Sequence, residues 1–198
     1  MKAKFVFLSA ALAVLTFPAV AQTDNSAQPA TINQRKENQQ DRIGNGVQSG
    51  QLTAGETHNL EKKESELNHE EHDMRKLDNG HLTAADRATL NQQQNKLSNQ
   101  IYKDKHNARV QNTNPKSEVG QRQRNQQERI AQGIKSGQMT AGEAARTERH
   151  SAAINREIHN DRAANGGHLT AGEKASINRQ QNRNSARIYR TKHNARKQ

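Results

Sequence analysis

The stretch SGQLTAGE at residues 49–56 decides the fold, because it occurs four times: NGHLTAAD follows at 79–86, SGQMTAGE at 136–143 and GGHLTAGE at 166–173. In each copy a threonine (Thr53, Thr83, Thr140, Thr170) stands three residues before an acid (Glu56, Asp86, Glu143, Glu173). Thr-x-x-Glu is a capping box. The hydroxyl accepts from the amide three residues on while the carboxylate reaches back to the threonine's own amide, which satisfies donors that a helix start leaves free. Thr83 with the shorter Asp86 is the weakest of the four. The glycine three residues earlier (Gly50, Gly80, Gly137, Gly167) suits a left-handed residue just past a preceding helix. Leu52, Leu82, Met139 and Leu169, lying between, can tuck into the angle of two helices. Each copy therefore ends one helix, turns and starts another.

Working outward, NQQDRI at 38–43 returns as NQQERI at 125–130, and IYKDKHNAR at 101–109 returns as IYRTKHNAR at 188–196, both at an offset of 87 residues. Two copies of one unit follow, at 31–110 and 118–198, joined by QNTNPKS (111–117), whose Pro115 and small polar residues read as a linker. Three helices are expected in each, near 31–49, 54–79 and 84–109, then 118–136, 141–165 and 171–196. The fold class is all-α: two homologous three-helix units, as helical hairpins or slender bundles, with short connections that favour antiparallel neighbours. Leu60, Leu67, Met74 and Leu77 make a narrow stripe on the second helix, and Leu90, Leu97 and Ile101 one on the third. The second copy is less apolar, with Asn184 in place of Leu97 and Thr147 in place of Leu60, partly offset by Ile154 and Ile158.

Residues 1–21 place Lys2 and Lys4 before an apolar run from Phe5 to Phe17 and close on Ala19-Val20-Ala21, the layout of a cleavable secretory signal. Export to a periplasm or beyond the cell is the expectation, with 22–30 a disordered N-terminal segment. Past residue 21 there is no Phe, Trp or Cys, and only 22 residues of Val, Ile, Leu and Met. Asn and Gln together number 42 in the whole chain. Such a composition excludes a disulfide framework and thiol catalysis, and it argues against a large core or a membrane span in the mature chain. Thin, capped helices of marginal stability remain. The doubled unit, with its NQQxRI opening, LTAGE turns and IYxxKHNAR ending, resembles uncharacterised secreted bacterial proteins. That resemblance implies export and duplication, and it brings no activity, cofactor or catalytic residue.

The chain carries +11 at pH 7, unevenly: residues 22–113 have a net charge of −1 and residues 114–198 of +10. On the last helix Arg179, Arg183, Arg187 and Arg190 recur every three or four residues, with Arg196 beyond them, so neighbours on one face repel. An anionic polymer, nucleic acid or lipopolysaccharide, would relieve that repulsion. The competing reading is internal or homotypic docking against the acidic second helix, where Glu61, Glu64, Glu66, Glu70, Glu71 and Asp73 cluster. His69 and His72, three apart, are the candidates for a two-point metal site, although HEEH departs from the H-E-x-x-H spacing. The turn at 79–86 is similar to the second half of an EF-hand loop, but Arg75 and Leu77 stand where calcium ligands are needed. No nucleophile elbow, phosphate loop or catalytic constellation is present, and no cofactor is implied. The reading is an exported, non-enzymatic structural or interaction protein, capable of self-association, with polyanion binding through the basic unit as the alternative and histidine-based metal binding as a third. Residues 22–198 in dilute buffer should give the double minimum of α-helix in circular dichroism; a coil spectrum would refute the helical reading.

Overall fold

The computed structural model describes residues 30–111 and 116–197; the expected secretory signal, most of the segment after it, the linker residues 112–115 and residue 198 lie outside the described residues. Six helices account for the fold: α1 Ile32–Ser49, α2 Ala54–Leu77, α3 Ala84–Lys105, α4 Glu118–Lys135, α5 Ala141–Ala164 and α6 Ala171–Lys192. There is no strand among the described residues. The lengths 18, 24 and 22 recur in the two halves.

All four capping boxes form, at Thr53, Thr83, Thr140 and Thr170, and a fifth stands at Thr31 with Gln34 as the reciprocal partner. The glycines before them take the left-handed conformation, with φ of 74° at Gly50, 90° at Gly80, 64° at Gly137 and 93° at Gly167. Leu52 and Met139 are fully buried and Leu82 nearly so, while Leu169 is half-buried.

Two sequence expectations need correction. The third helix of each half ends at Lys105 and Lys192, four residues short. Asn107 Oδ1 takes the Arg109 amide at 2.7 Å and Asn194 Oδ1 the Arg196 amide at 2.9 Å, a local side-chain bond that competes with helix continuation. Leu77 does not join the apolar stripe. It is 83% exposed, at the last residue of α2, beyond the reach of the neighbouring helices.

The packing joins the halves rather than separating them. α1 lies on α4 and α2 on α5, and one cluster of buried apolar side chains draws Ile43, Leu60 and Ile101 from the first half and Ile130, Met139 and Ile188 from the second. A smaller cluster, Val119, Ile154, Ile158 and Ile177, belongs to the second half alone. His58 Nδ1 lies 2.8 Å from the Ala145 carbonyl oxygen across the α2–α5 seam. At the α1–α4 crossing Gly44 sits so close to Lys135 and Ala131 that a methyl group there would meet the Lys135 side chain at 2.4 Å.

Where apolar side chains run out, glutamines bind the helices together. Gln39 donates to the Gln94 carbonyl at 2.7 Å and to Ser98 Oγ at 2.9 Å; Gln126 repeats this on Gln181 and Ser185, both at 2.8 Å. Gln94 and Gln181 answer by donating to the Ile32 and Val119 carbonyls, each at 3.0 Å. The NQQ element is thereby explained: its first glutamine ties the first helix of a half to the third, and its second reaches the second helix. Gln40 donates to Glu61 at 3.3 Å and Gln127 to Glu148 at 3.0 Å.

Two glycine substitutions separate packing from helix propensity. A methyl group at Gly46 would lie 2.7 Å from two Leu52 carbons, whereas at Gly172 nothing stands within 4 Å. Alanine in place of glycine favours a helix interior by about 0.8–1 kcal/mol, less near an end, while overpacking costs about 1–3 kcal/mol. In urea unfolding Gly46→Ala should therefore destabilise by about 1–2 kcal/mol and Gly172→Ala stabilise by about 0.5 kcal/mol, the clash winning at the first site only.

Candidate functional site

Helix α6 carries the basic face. Its buried side is Ile177, Gln181, Asn184 and Ile188, at helical spacing, which leaves Arg179, Arg183 and Arg190 exposed and Arg187 half-buried. None of these four arginines forms an ion pair among the described residues. α5 runs antiparallel beside it: Gln180 Nε2 donates to Glu157 at 2.6 and 2.7 Å, and two turns further along both helices Arg187 is near enough to Arg149 and His150 to repel them. Arg149 and His150 were not legible as part of the face, since only the antiparallel register of α5 and α6 brings them to it.

The electrostatics are those of an unneutralised patch. Partial burial, then repulsion by Arg190 and Arg149, lowers the Arg187 pKa from its ordinary value. His150 is pushed down as well, by partial burial first and by Arg187 and Arg149 next. The equivalent positions in the first half, 87 residues earlier, are Lys62, Lys63, Gln92, Lys96, Gln100 and Lys103, and there Glu66 and Glu70 line the same groove.

Arg196 does not belong to this face. Helix α6 has ended before it, and its guanidinium lies 3.8 Å from Glu143, the acid of the α5 capping box. Glu143 is buried and serves two ends of chain: Oε2 accepts from the Thr140 amide at 3.2 Å, and Oε1 accepts from Asn194 Nδ2 at 2.7 Å. Glu56 does the same with Asn107, at 2.8 Å, and with Arg109, at 3.9 Å. The histidine of each IYxxKHNAR element closes the helix: His106 stacks on Tyr102 at 4.2 Å and His193 on Tyr189 at 4.1 Å, each with Nδ1 2.7 Å from that tyrosine's carbonyl oxygen. Asp86 and Glu173, in the two outer boxes, are held below their ordinary carboxylate pKa by the hydrogen bonds from Thr83 and Thr170. The eight capping residues are thus structural, and Glu56 and Glu143 hold the chain ends in addition.

His69 and His72 are exposed on α2, and His72 Nδ1 lies 3.4 Å from Asp73. No group of three or more His, Asp or Glu is placed to hold a metal ion among the described residues. His69 lines instead a groove of about 460 Å³ between the halves, with Lys36, Arg146, Arg196 and Lys197. The acids of α2 do not receive the α6 arginines, because α5 is the helix that covers α2. No described helix is long and apolar enough to cross a membrane. Comparison with protein-family models, curated proteins and solved structures finds no match for the chain.

The repulsion between Arg187 and His150 gives a direct test. In Arg187→Gln the His150 pKa should rise, because one repelling cation is gone while the burial stays; NMR titration of the imidazole protons reads it, and an unmoved value would contradict the repulsion.

Proposed function

We propose that the protein is an exported, non-catalytic interaction module whose working surface is the cationic α5–α6 face, and that its partner is an anionic polymer such as nucleic acid or lipopolysaccharide. The observation that carries this reading is the run of Arg179, Arg183, Arg187 and Arg190 without an ion pair among the described residues. Like charges held together in this way are a standing cost that a polyanion removes on binding, with release of its condensed counterions.

Self-association through apolar faces has less support, because the stripes of α1, α2, α4 and α5 are already covered by one another. The large apolar side chains left exposed, Leu77, Tyr102, Val110 and Tyr189, are scattered singly or in pairs at helix ends. Base stacking adds little, since Tyr102 and Tyr189 are taken up by their histidines. The recognition is therefore of backbone charge rather than sequence. Export rests on the layout of residues 1–21.

Four phosphate contacts would give a salt slope of about −3.6 on duplex DNA, a loss of roughly 100-fold between 50 and 200 mM salt. Fluorescence anisotropy with a labelled duplex, and separately with lipopolysaccharide, should show that dependence. Replacing Arg179, Arg183, Arg187 and Arg190 by glutamine should flatten it by about 0.9 per contact removed, whereas replacement by lysine should retain most of it. Binding to neither polymer, or a slope indifferent to the glutamine variant, would refute the proposal.

A further inference from the structure

We propose that the seam between the two halves is a proton-operated latch: Glu61, Glu64 and Glu148 are neutral when α2 is closed on α5, and their ionisation parts the two halves without melting the helices. All three side chains have zero solvent exposure. Glu61 and Glu148 occupy equivalent positions, 87 residues apart, on the two helices that meet at the seam, and they are near enough to repel each other when charged.

The surroundings suit carboxylic acids and not carboxylates. α1 offers Glu61 the amide of Gln40, and α4 offers Glu148 the amide of Gln127; both are neutral donors. α5 adds Ser151 beside Glu148, itself bonded by Asn184 of α6 at 3.1 Å, and α3 brings Leu97 and Ile101 to the same core. The one cation acting on the group is Lys36 of α1, near Glu64, and it is shared with Glu71, which it meets at 3.1 Å and which Arg75 also holds at 2.8 Å. Within α2, Glu64 and Glu71 add like charge. Four carboxyl oxygens, Oε1 of Glu61, both of Glu64 and Oε1 of Glu148, are buried without a hydrogen bond. Three ionised carboxylates buried here, with one shared lysine between them, would be far costlier than three neutral acids.

The direction of the pH response follows. Burial raises Glu64 and Glu148 from 4.5 to about 7, and Glu61 is raised well above its ordinary value by burial and by its neighbours Glu64 and Glu148. The closed form therefore binds protons that the open form has released. Its advantage is complete below about pH 4.5 and is lost as pH rises through the closed-state values. A rise of 2.5 pH units in one group's affinity corresponds to roughly 300-fold in the closing equilibrium. Glu71, Asp86 and Glu173 are lowered by partners within their own half, Arg75 and Lys36 for the first and the capping threonines Thr83 and Thr170 for the others, so parting the halves leaves them as they are and they do not oppose the response.

The chain contains no cysteine, so Asn99→Cys and Ala186→Cys place two spin labels uniquely on exposed positions of α3 and α6. Pulsed electron resonance on the full chain should give one narrow distance distribution at pH 5 and a broader, longer one at pH 8.5, with the helical circular dichroism retained. With Glu61, Glu64 and Glu148 all changed to glutamine the distribution should stay narrow at both pH values. Glu148→Gln alone, a milder change, should move the opening midpoint upward. A wild-type distribution unchanged at pH 8.5, helix loss in step with the distance change, or a midpoint unmoved by Glu148→Gln would each overturn the latch.

Discussion

The buried carboxylates of Glu56 and Glu143 are the fastening on which the rest of the molecule depends. Each caps the second helix of its half with one oxygen and, with the other, takes the asparagine that follows the third helix. One side chain thus joins the LTAGE turn to the KHNAR ending, two elements 51 residues apart. Without it, the third helix would have no fixed terminus and the first turn no cover. A charge-assisted bond of this kind is stronger than a neutral one, and in a protein so poor in apolar residues it stands where a larger core would put a leucine or phenylalanine.

The same substitution of polar for apolar contacts runs through the interior. Gln39, Gln94, Gln126 and Gln181 reach backbone carbonyls of neighbouring helices and are themselves buried. Polar bridges of this type are directional, so they set which helix faces which, while the few isoleucines and leucines supply the burial. The halves differ where the bridges differ. Asn184 donates through Nδ2 to Gln126 and Ser151, whereas the first half has Leu97 and the unbonded Glu64 at the matching positions.

Charge is divided along with the packing. Four acids of α2, Glu56, Glu61, Glu64 and Glu71, turn inward, and the arginines of α6 turn outward. Acid and base do not neutralise each other, because α5 comes between. The outcome is a protein with buried acids inside and arginines without an ion pair outside, on different residues.

The helix starts, the turns and the all-α class were legible in the chain itself, because capping is local: a threonine, an acid three residues on and a glycine before them decide where a helix starts whatever surrounds it. The repeated NQQ and KHNAR elements could be counted but not interpreted, since the partners that join them to other helices lie 21 to 59 residues away. The ends of α3 and α6 were misplaced because a local bond from Asn107 or Asn194 to the amide two residues on displaces the helical one, and Leu77 was credited to a stripe on periodicity alone. Of the basic face, the α6 arginines could be read from their spacing, whereas Arg149 and His150 could not, and Arg196 was wrongly grouped with them. Tertiary structure alone decided that the two halves share one core and that Glu61, Glu64 and Glu148 are buried, with Lys36 near Glu64 as a cation shared with Glu71. A helix's own sequence determines which residues lie on one face, but the choice of the helix that covers that face is made by the summed packing of all six.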